Sequence, residues 1–183
     1  MKIETKRLII GEWNKKDIKD LIENVNNLKV TKWLLVVPYP YKLKDAKWWI
    51  NHCEKNKKKK PRTTYDLAIE LKSEKKVIGG VGLNKIDTFQ GSASGGYWLG
   101  EKYWRRGYGS EVLDALLKFA FNKLKLRRLE AGVFGGNIPS AKLLEKFGFK
   151  QEGIKRKSVR SKADKKLYDE WIYGILKEDW RKK

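Results

Sequence analysis

Two spacings of apolar residues divide this chain. Short or alternating runs predict strands, and returns every three or four positions predict helices. Residues 6–13, KRLIIGEW, form a first strand centred on Leu8, Ile9 and Ile10. Asn14 offers a cap for a helix carried by Ile18, Leu21, Ile22 and Val25, whose end is weakened by Asn24, Asn26 and Asn27. Residues 33–41, WLLVVPYPY, are aromatic and broken by prolines, which suits an irregular wall. A second helix is predicted over 42–57, with Ala46, Trp49, Ile50 and Cys53 on one side. Strands at 63–71 and 77–86 flank the turn 72–76. Gly79, Gly80 and Gly82 inside the second imply a bulge or a close backbone approach. A loop at 87–94 leads to the buried run Tyr97-Trp98-Leu99, which Gly100 ends. Val112, Leu113, Leu116, Leu117, Ala120, Phe121 and Leu124 then keep helical spacing. A strand at 127–134, a helix from 137 stopped by Gly148, two strands of which the last is 167–176, and a closing helical turn at 177–180 complete a mixed α/β order with no visible domain boundary, so 1–183 reads as one domain.

The chemistry concentrates in the turn Trp104-Arg105-Arg106-Gly107-Tyr108-Gly109-Ser110, which lies between a strand and a helix. The first turn of a helix carries N–H groups without partners and a partial positive charge, and phosphate satisfies both. Gly107 and Gly109 allow close approach of a ligand, and Arg105 and Arg106 add charge-assisted donors, so a pyrophosphate is the expected guest. The same letters also fit a loop that merely starts a helix. A dinucleotide fingerprint would need a third glycine where Val112 stands, and no G-K-[ST] string occurs for a Walker loop.

This turn resembles the coenzyme A pyrophosphate loop of the GNAT superfamily of N-acetyltransferases, [Q/R]-x-x-G-x-[G/A], in the register Trp104-x-x-Gly107-x-Gly109. Trp104 departs from the usual Gln or Arg, but tryptophan there is familiar in the ribosomal-protein, RimJ/RimL-like branch. The string Asn137-x-x-Ser140-x-x-Leu143-Leu144-Glu145-Lys146-x-Gly148-Phe149 is similar to the second signature of the same family, and Thr5-Lys6-Arg7-Leu8 to the T-x-R-L opening of that branch. The resemblance covers essentially the whole chain. It implies a GNAT fold: a mixed, mostly antiparallel sheet, flanked by helices and splayed at the acetyl-CoA cleft. It further implies main-chain pairing of pantetheine near Trp98 and Leu99, a pyrophosphate held by Arg105, Arg106, Gly107, Tyr108, Gly109 and Ser110, and a hydrogen bond from Asn137 to pantetheine. Ser140 would donate a proton to the leaving thiolate. Both Asn137 and Ser140 also suit plain roles in ordering a helix start. Trp33, Tyr39, Tyr41 and Trp48 fall where the family admits the acceptor, although core or rim packing accounts for such aromatics equally.

Composition narrows the partners. The formal net charge is +21, from 43 Lys and Arg against 22 Asp and Glu. Such a surface attracts polyanions, so ribosomal or other RNA is a candidate contact beside the anionic cofactor, and a solubilising bias is the plain alternative. One histidine, His52, and one cysteine, Cys53, leave no room for a multi-ligand metal site or an intramolecular disulfide. The N-terminal segment has neither a secretory core nor a membrane span, which implies a cytoplasmic protein, monomer or homodimer.

An amine attacks only when neutral. At pH 7 an α-amine is roughly one-sixth neutral, whereas a lysine is so in about one molecule in 2,500, a penalty of about 1 against about 4.6 kcal/mol. Asp66, Glu70, Glu101, Asp169 and Glu170 are the carboxylates near the expected cleft, and Asp169 is the first choice as base because the last strand of RimJ/RimL-like enzymes often carries an Asp there. The leading expectation is acetyl transfer from acetyl-CoA to a protein N-terminal α-amine. The alternatives are a polyamine or other small-amine acetyltransferase, and an inactive RNA- or ribosome-binding module on the same fold.

Overall fold

The computed structural model describes residues 1–181. The apolar runs become one eight-stranded sheet: β1 (Lys2–Glu4), β2 (Leu8–Glu12), β3 (Tyr65–Leu71), β4 (Lys76–Asp87), β5 (Ser92–Leu99), β6 (Arg128–Phe134), β7 (Lys150–Arg160) and β8 (Leu167–Leu176). Their spatial order is β1-β2-β3-β4-β5-β6-β8-β7. Alternation sorts the side chains to two faces. Leu67, Ile69 and Leu71 join one core with Leu113, Leu117 and Phe121 of the chain after β5; Ala68 joins the other with Leu21, Ala46 and Ile50. Helices α4 (Tyr108–Lys118) and α5 (Ile138–Lys146) therefore cover the first face, and α1 (Ile18–Val25) and α3 (Leu43–Lys58) part of the second. A short α2 (Leu28–Thr31) and a terminal α6 (Lys177–Arg181) complete the helices.

All neighbouring strands pair antiparallel except β5 and β6. Those two run parallel and are in register only at Ser92↔Arg128, Ala93↔Leu129 and Ser94↔Glu130. Beyond that point the ladder stops, although each strand stays bonded to its outer neighbour as far as Leu99 and Phe134. The sheet is open along a seam whose mouth lies at the C-terminal ends of both strands.

Three elements depart from the reading of the sequence. β5 begins at Ser92, inside the stretch expected as a loop, because pairing with β4, and with β6 as far as Ser94, overrides the weak strand preference of Ser92-Ala93-Ser94-Gly95-Gly96. β1 adds a strand by pairing Lys2–Glu4 against β2. Asn27, expected only to weaken a helix end, caps α2 by accepting the Lys29 N–H at 2.9 Å. The glycines of β4 mark both a bulge, beside Ile78 in the β3 register, and a close approach: a Cβ on Gly80 would stand 2.7 Å from the Trp98 indole nitrogen. No helix among the described residues is long and apolar enough to cross a membrane.

Candidate active site

The turn between β5 and α4 has the geometry of an anion cradle. Gly107, directly before α4, has φ 79°, and Arg105 has φ 58°. Left-handed backbone costs a non-glycine residue roughly 1–2 kcal/mol, so Arg105 is held there by the turn. The amides of Tyr108, Gly109 and Ser110 fall in the first turn of α4, where no carbonyl of the helix reaches them. Arg105 and Arg106 stand exposed beside them. Gly109 sets α4 down on its neighbours, since a Cβ there would come 3.1 Å from Leu143 and 3.5 Å from the Tyr97 ring.

The cradle is braced from the N-terminal strands. The Glu111 carboxylate accepts from the Thr5 hydroxyl at 2.5 Å, the Arg7 N–H at 2.7 Å and the Arg7 guanidinium at 2.7 Å. Arg7 also donates to the Arg106 carbonyl at 2.9 Å and lies over the Tyr108 ring, 4.4 Å from its centroid. Burial works against ionising Glu111, but the Thr5 and Arg7 donors outweigh it and hold the carboxyl below its usual range. Thr5, Arg7 and Glu111 brace the turn in a way the sequence did not show, because Arg7 and Glu111 stand 104 positions apart.

Along the open seam the backbone of β5 is offered differently from the expectation. The Gly100 N–H bonds the Ile78 carbonyl at 2.9 Å, so in the same register Trp98 turns its main-chain groups to Gly80 of β4. Trp98, expected near the pairing of pantetheine, therefore turns its main chain away from the seam, and its ring packs over Gly80 and Trp13. Tyr97 and Leu99 face the seam. The Leu99 carbonyl already accepts the Trp104 indole N–H at 2.7 Å, which leaves the Leu99 N–H and both main-chain groups of Tyr97 for a strand-like ligand. Trp104, the departure from the family's first position, thus closes the start of the turn onto β5.

On the far side of the seam, Asn137 precedes α5 without a side-chain cap bond; its carbonyl takes the N–H of Ser140 at 3.1 Å and of Ala141 at 3.2 Å. The Asn137 amide is left for a ligand. The Ser140 hydroxyl lies close enough to the Tyr97 phenol to oppose the rise that burial gives it, so α5 meets β5 here. Tyr97 is a site residue that the sequence showed only as strand filling.

The predicted acceptor residues separate. The Trp33 ring lies 5.8 Å from Tyr168 and beside Gly136, at the mouth of the seam. Tyr39 is exposed. Tyr41 is not at the site: it is 7% exposed, packs in the core between α1 and α3, and gives its N–H to Asn26 at 2.8 Å. Asp169, expected as the base, is turned from the open face. Its carboxylate accepts the Lys157 N–H at 2.8 Å, and on β8 it shares the face of Trp171 and Tyr173, the face of α4 and α5. Glu170, one residue on, points to the opposite, open face. Glu101 is bound to Asn27 and Lys29 at 2.6 Å each, away from the seam. Asp66 lies near Asn56, whose amide is 3.4 Å away, and burial raises its carboxyl despite that bond and the nearby His52 and Arg62. Among the described residues no cluster of three His, Cys, Asp or Glu is placed to hold a metal.

The αL glycine, the unpaired first-turn amides with two arginines, and the free edge of β5 fit a diphosphate carrier with a strand-like arm. Comparison agrees. Residues 7–150 match the model of the acetyltransferase (GNAT) domain. The chain is 30% identical over 178 residues to the uncharacterised N-acetyltransferase p20 of Bacillus licheniformis, covering 96% of each. Among solved structures it superposes with a TM-score of 0.81 on ribosomal-protein-S5-alanine acetyltransferase from Vibrio fischeri, at 19% identity over 98% of each chain. It superposes with a TM-score of 0.80 on spermidine N-acetyltransferase from Vibrio cholerae in complex with CoA and spermine, at 18% identity over 97% and 99%. The chain belongs to the GNAT family of acetyltransferases and is an acyltransferase that uses acetyl-CoA.

Proposed function

We propose that the protein acetylates a protein N-terminal α-amine, of the ribosomal-protein type, in the cytoplasm. The observation that carries this reading is the β5–β6 seam, open past Ser94 and Glu130 and continuous with the exposed sheet face at Gly96 and Gly132. Acetyl-CoA supplies an acyl carbon activated by its thioester. The chain does the rest. Residues Arg105, Arg106, Gly107, Tyr108, Gly109 and Ser110 hold the diphosphate, Asn137 and the Tyr97–Leu99 edge align the arm, and a seam-facing N–H of β5 receives the carbonyl oxygen where charge gathers. Ser140 and Tyr97, which neighbour one another, provide the proton needed at sulfur when the C–S bond breaks.

An α-amine needs little help to lose its proton near pH 7, and one carboxylate or a positioned water suffices. The exposed cations of β7, among them Lys155, Arg156, Lys157 and Arg160, support docking on ribosomal RNA as the substrate protein is presented. A polyamine acceptor is the second reading, favoured by the carboxylates Glu130, Glu152 and Glu170 at or near the open face. Release of CoA thiol, measured with peptides bearing a free N-terminus, the same peptides N-acetylated, and spermidine, decides between them. Turnover with the free peptides alone is expected; turnover confined to spermidine sinks the first reading.

A further inference from the structure

The open face carries a transverse row almost without side chains. Gly82 pairs with Asp66 on β3 and with Gly96 on β5. Across the seam Ser94 is level with Glu130, which brings Gly132 level with Gly96. Gly132 pairs with Ile172, and Ile172 with Gly153 on β7. Gly96, Gly132 and Gly153 are exposed, and nothing lies within 4 Å of a Cβ built on Gly96 or Gly153. The row is closed at Asp66 by Asn56 of α3 and open at β7, the edge of the sheet. With strands about 4.8 Å apart, Gly132 to Gly153 spans about 10 Å, the length of three extended residues.

One carboxylate lies over this row where it meets the seam. A Cβ on Gly132 would overlap the Glu170 carboxylate, whose Cδ stands 3.3 Å from it. The ion partner of Glu170, Lys155, is 3.8 Å away, too far for a direct hydrogen bond, so the carboxylate retains its acceptor capacity. Asp66 leans in from the closed end, with Oδ1 3.4 Å from a Cβ on Gly82. On a chain of net charge +21, carboxylates over an uncovered path floored mostly by glycine, with Ile172 its one apolar side chain between Gly132 and Gly153, complement a cationic guest, and the path runs directly into the seam that serves acetyl transfer.

We propose that Glu170 takes the proton from the acceptor's N-terminal ammonium, and that the acceptor chain reaches it from the β7 edge over Gly153 and Ile172. This rests on the N-terminal amine reading above. The N–H bond breaks to Glu170 and its electron pair attacks the acyl carbon; a C–N bond forms as the C–S bond breaks. Sulfur takes a proton from the Ser140–Tyr97 pair, the second nitrogen proton restores that pair, and the proton on Glu170 passes to solvent. The charged and titratable groups around Glu170 are Lys155 on β7, Tyr168 on its own strand, Arg128 and Glu130 on β6, and Asp66 across the seam.

The test compares wild type with Glu170→Gln, Glu170→Asp, Asp169→Asn and Gly153→Val, using a serine-initiated tripeptide amide and serine amide as acceptors. Glu170→Gln is expected to lower kcat/KM roughly 100-fold at pH 7, with a deficit that shrinks above about pH 8, where an α-amine is neutral unaided. Glu170→Asp recovers part of the rate and Asp169→Asn retains more than Glu170→Gln. The thermal shift given by acetyl-CoA stays that of wild type in each. Gly153→Val raises the KM of the tripeptide roughly tenfold more than that of serine amide, and weakens tripeptide binding measured by calorimetry without acetyl-CoA. A deficit constant from pH 6 to 9, or an activity of Glu170→Gln within twofold of wild type, overturns the role of Glu170. Equal changes in the two KM values overturn the path. Wild type that binds acetyl-CoA yet acetylates neither amide overturns the N-terminal amine reading itself.

Discussion

The Arg7 guanidinium and the Glu111 carboxylate meet at 2.7 Å across 104 positions of sequence, and through them β2 fixes the first turn of α4. Neither residue faces the seam. Arg7 holds the turn by its bond to the Arg106 carbonyl, and Glu111 holds Arg7. Arg7→Ala is therefore expected to weaken acetyl-CoA binding about tenfold while leaving every diphosphate donor in place, as measured by calorimetry. Its effect on stability should be near 1 kcal/mol, because Arg7 is partly exposed and solvent screens the pair.

The same carboxylate sets an acid limb. Its folded-state pKa lies below the unfolded value, so the stabilisation is complete above the unfolded value and is lost as pH falls through the folded one. Melting curves taken from pH 6 down to pH 2 should lose stability more steeply in wild type than in Glu111→Gln, which starts lower and falls less.

Asp66 has the opposite sign. Burial raises its carboxyl, so the folded state keeps a proton that the unfolded chain has already lost, and stability declines as pH rises from the unfolded to the folded value. Asp66→Asn should remove that decline and melt higher than wild type at pH 7. A lower melting temperature at pH 7 would show instead that the ionised carboxylate is held by its neighbours.

Much of this was legible before the structure. The strand, glycine turn and helix around Gly107 were visible because glycine spacing and apolar periodicity are local properties. Which of Asp169 and Glu170 faces the open side was not, because one step along a strand moves a side chain to the other face and only the register with β6 decides which face is covered. Tyr41 misled for a similar reason: an aromatic after two prolines reads as a rim residue, and its burial depends on how α1 and α3 close over it. Tyr97 looked like strand filling because its phenol meets Ser140 only through the tertiary fold. The start of β5 was hidden by Ser94, Gly95 and Gly96, poor strand formers kept in the sheet by β4 on one side and, as far as Ser94, by β6 on the other.

Tyr97 and Ser140 act as one unit if they share the proton delivered to sulfur. Tyr97→Phe and Ser140→Ala should each lower kcat by roughly 10- to 100-fold, with acetyl-CoA affinity unchanged. The double variant should be little worse than either single one, since removing one partner already breaks the pair. Multiplicative losses in steady-state kinetics would show that the two side chains work separately.

Gly96 gives a prediction in which stability and activity part. A glycine in the middle of a strand weakens it by roughly 0.5–1 kcal/mol relative to alanine, and a β-branched residue suits a strand better still. Space does not require glycine here, because nothing stands within 4 Å of a Cβ at this position, whereas at Gly79 a Cβ would overlap the Trp98 carbonyl. On packing grounds alone Gly96→Val should stabilise the fold, and its melting temperature should rise by a few degrees. Yet the new side chain would stand on the β5 lip of the seam, level with Gly132, and narrow the opening in which, on the proposed path, the acceptor nitrogen meets the acyl carbon. Acetyl-CoA should bind as before, while the acceptor KM rises at least tenfold. A variant that melts higher and keeps the wild-type KM would mean that the acceptor approaches from elsewhere, and a variant that melts lower would mean that the open space over Gly96 is needed by the fold itself.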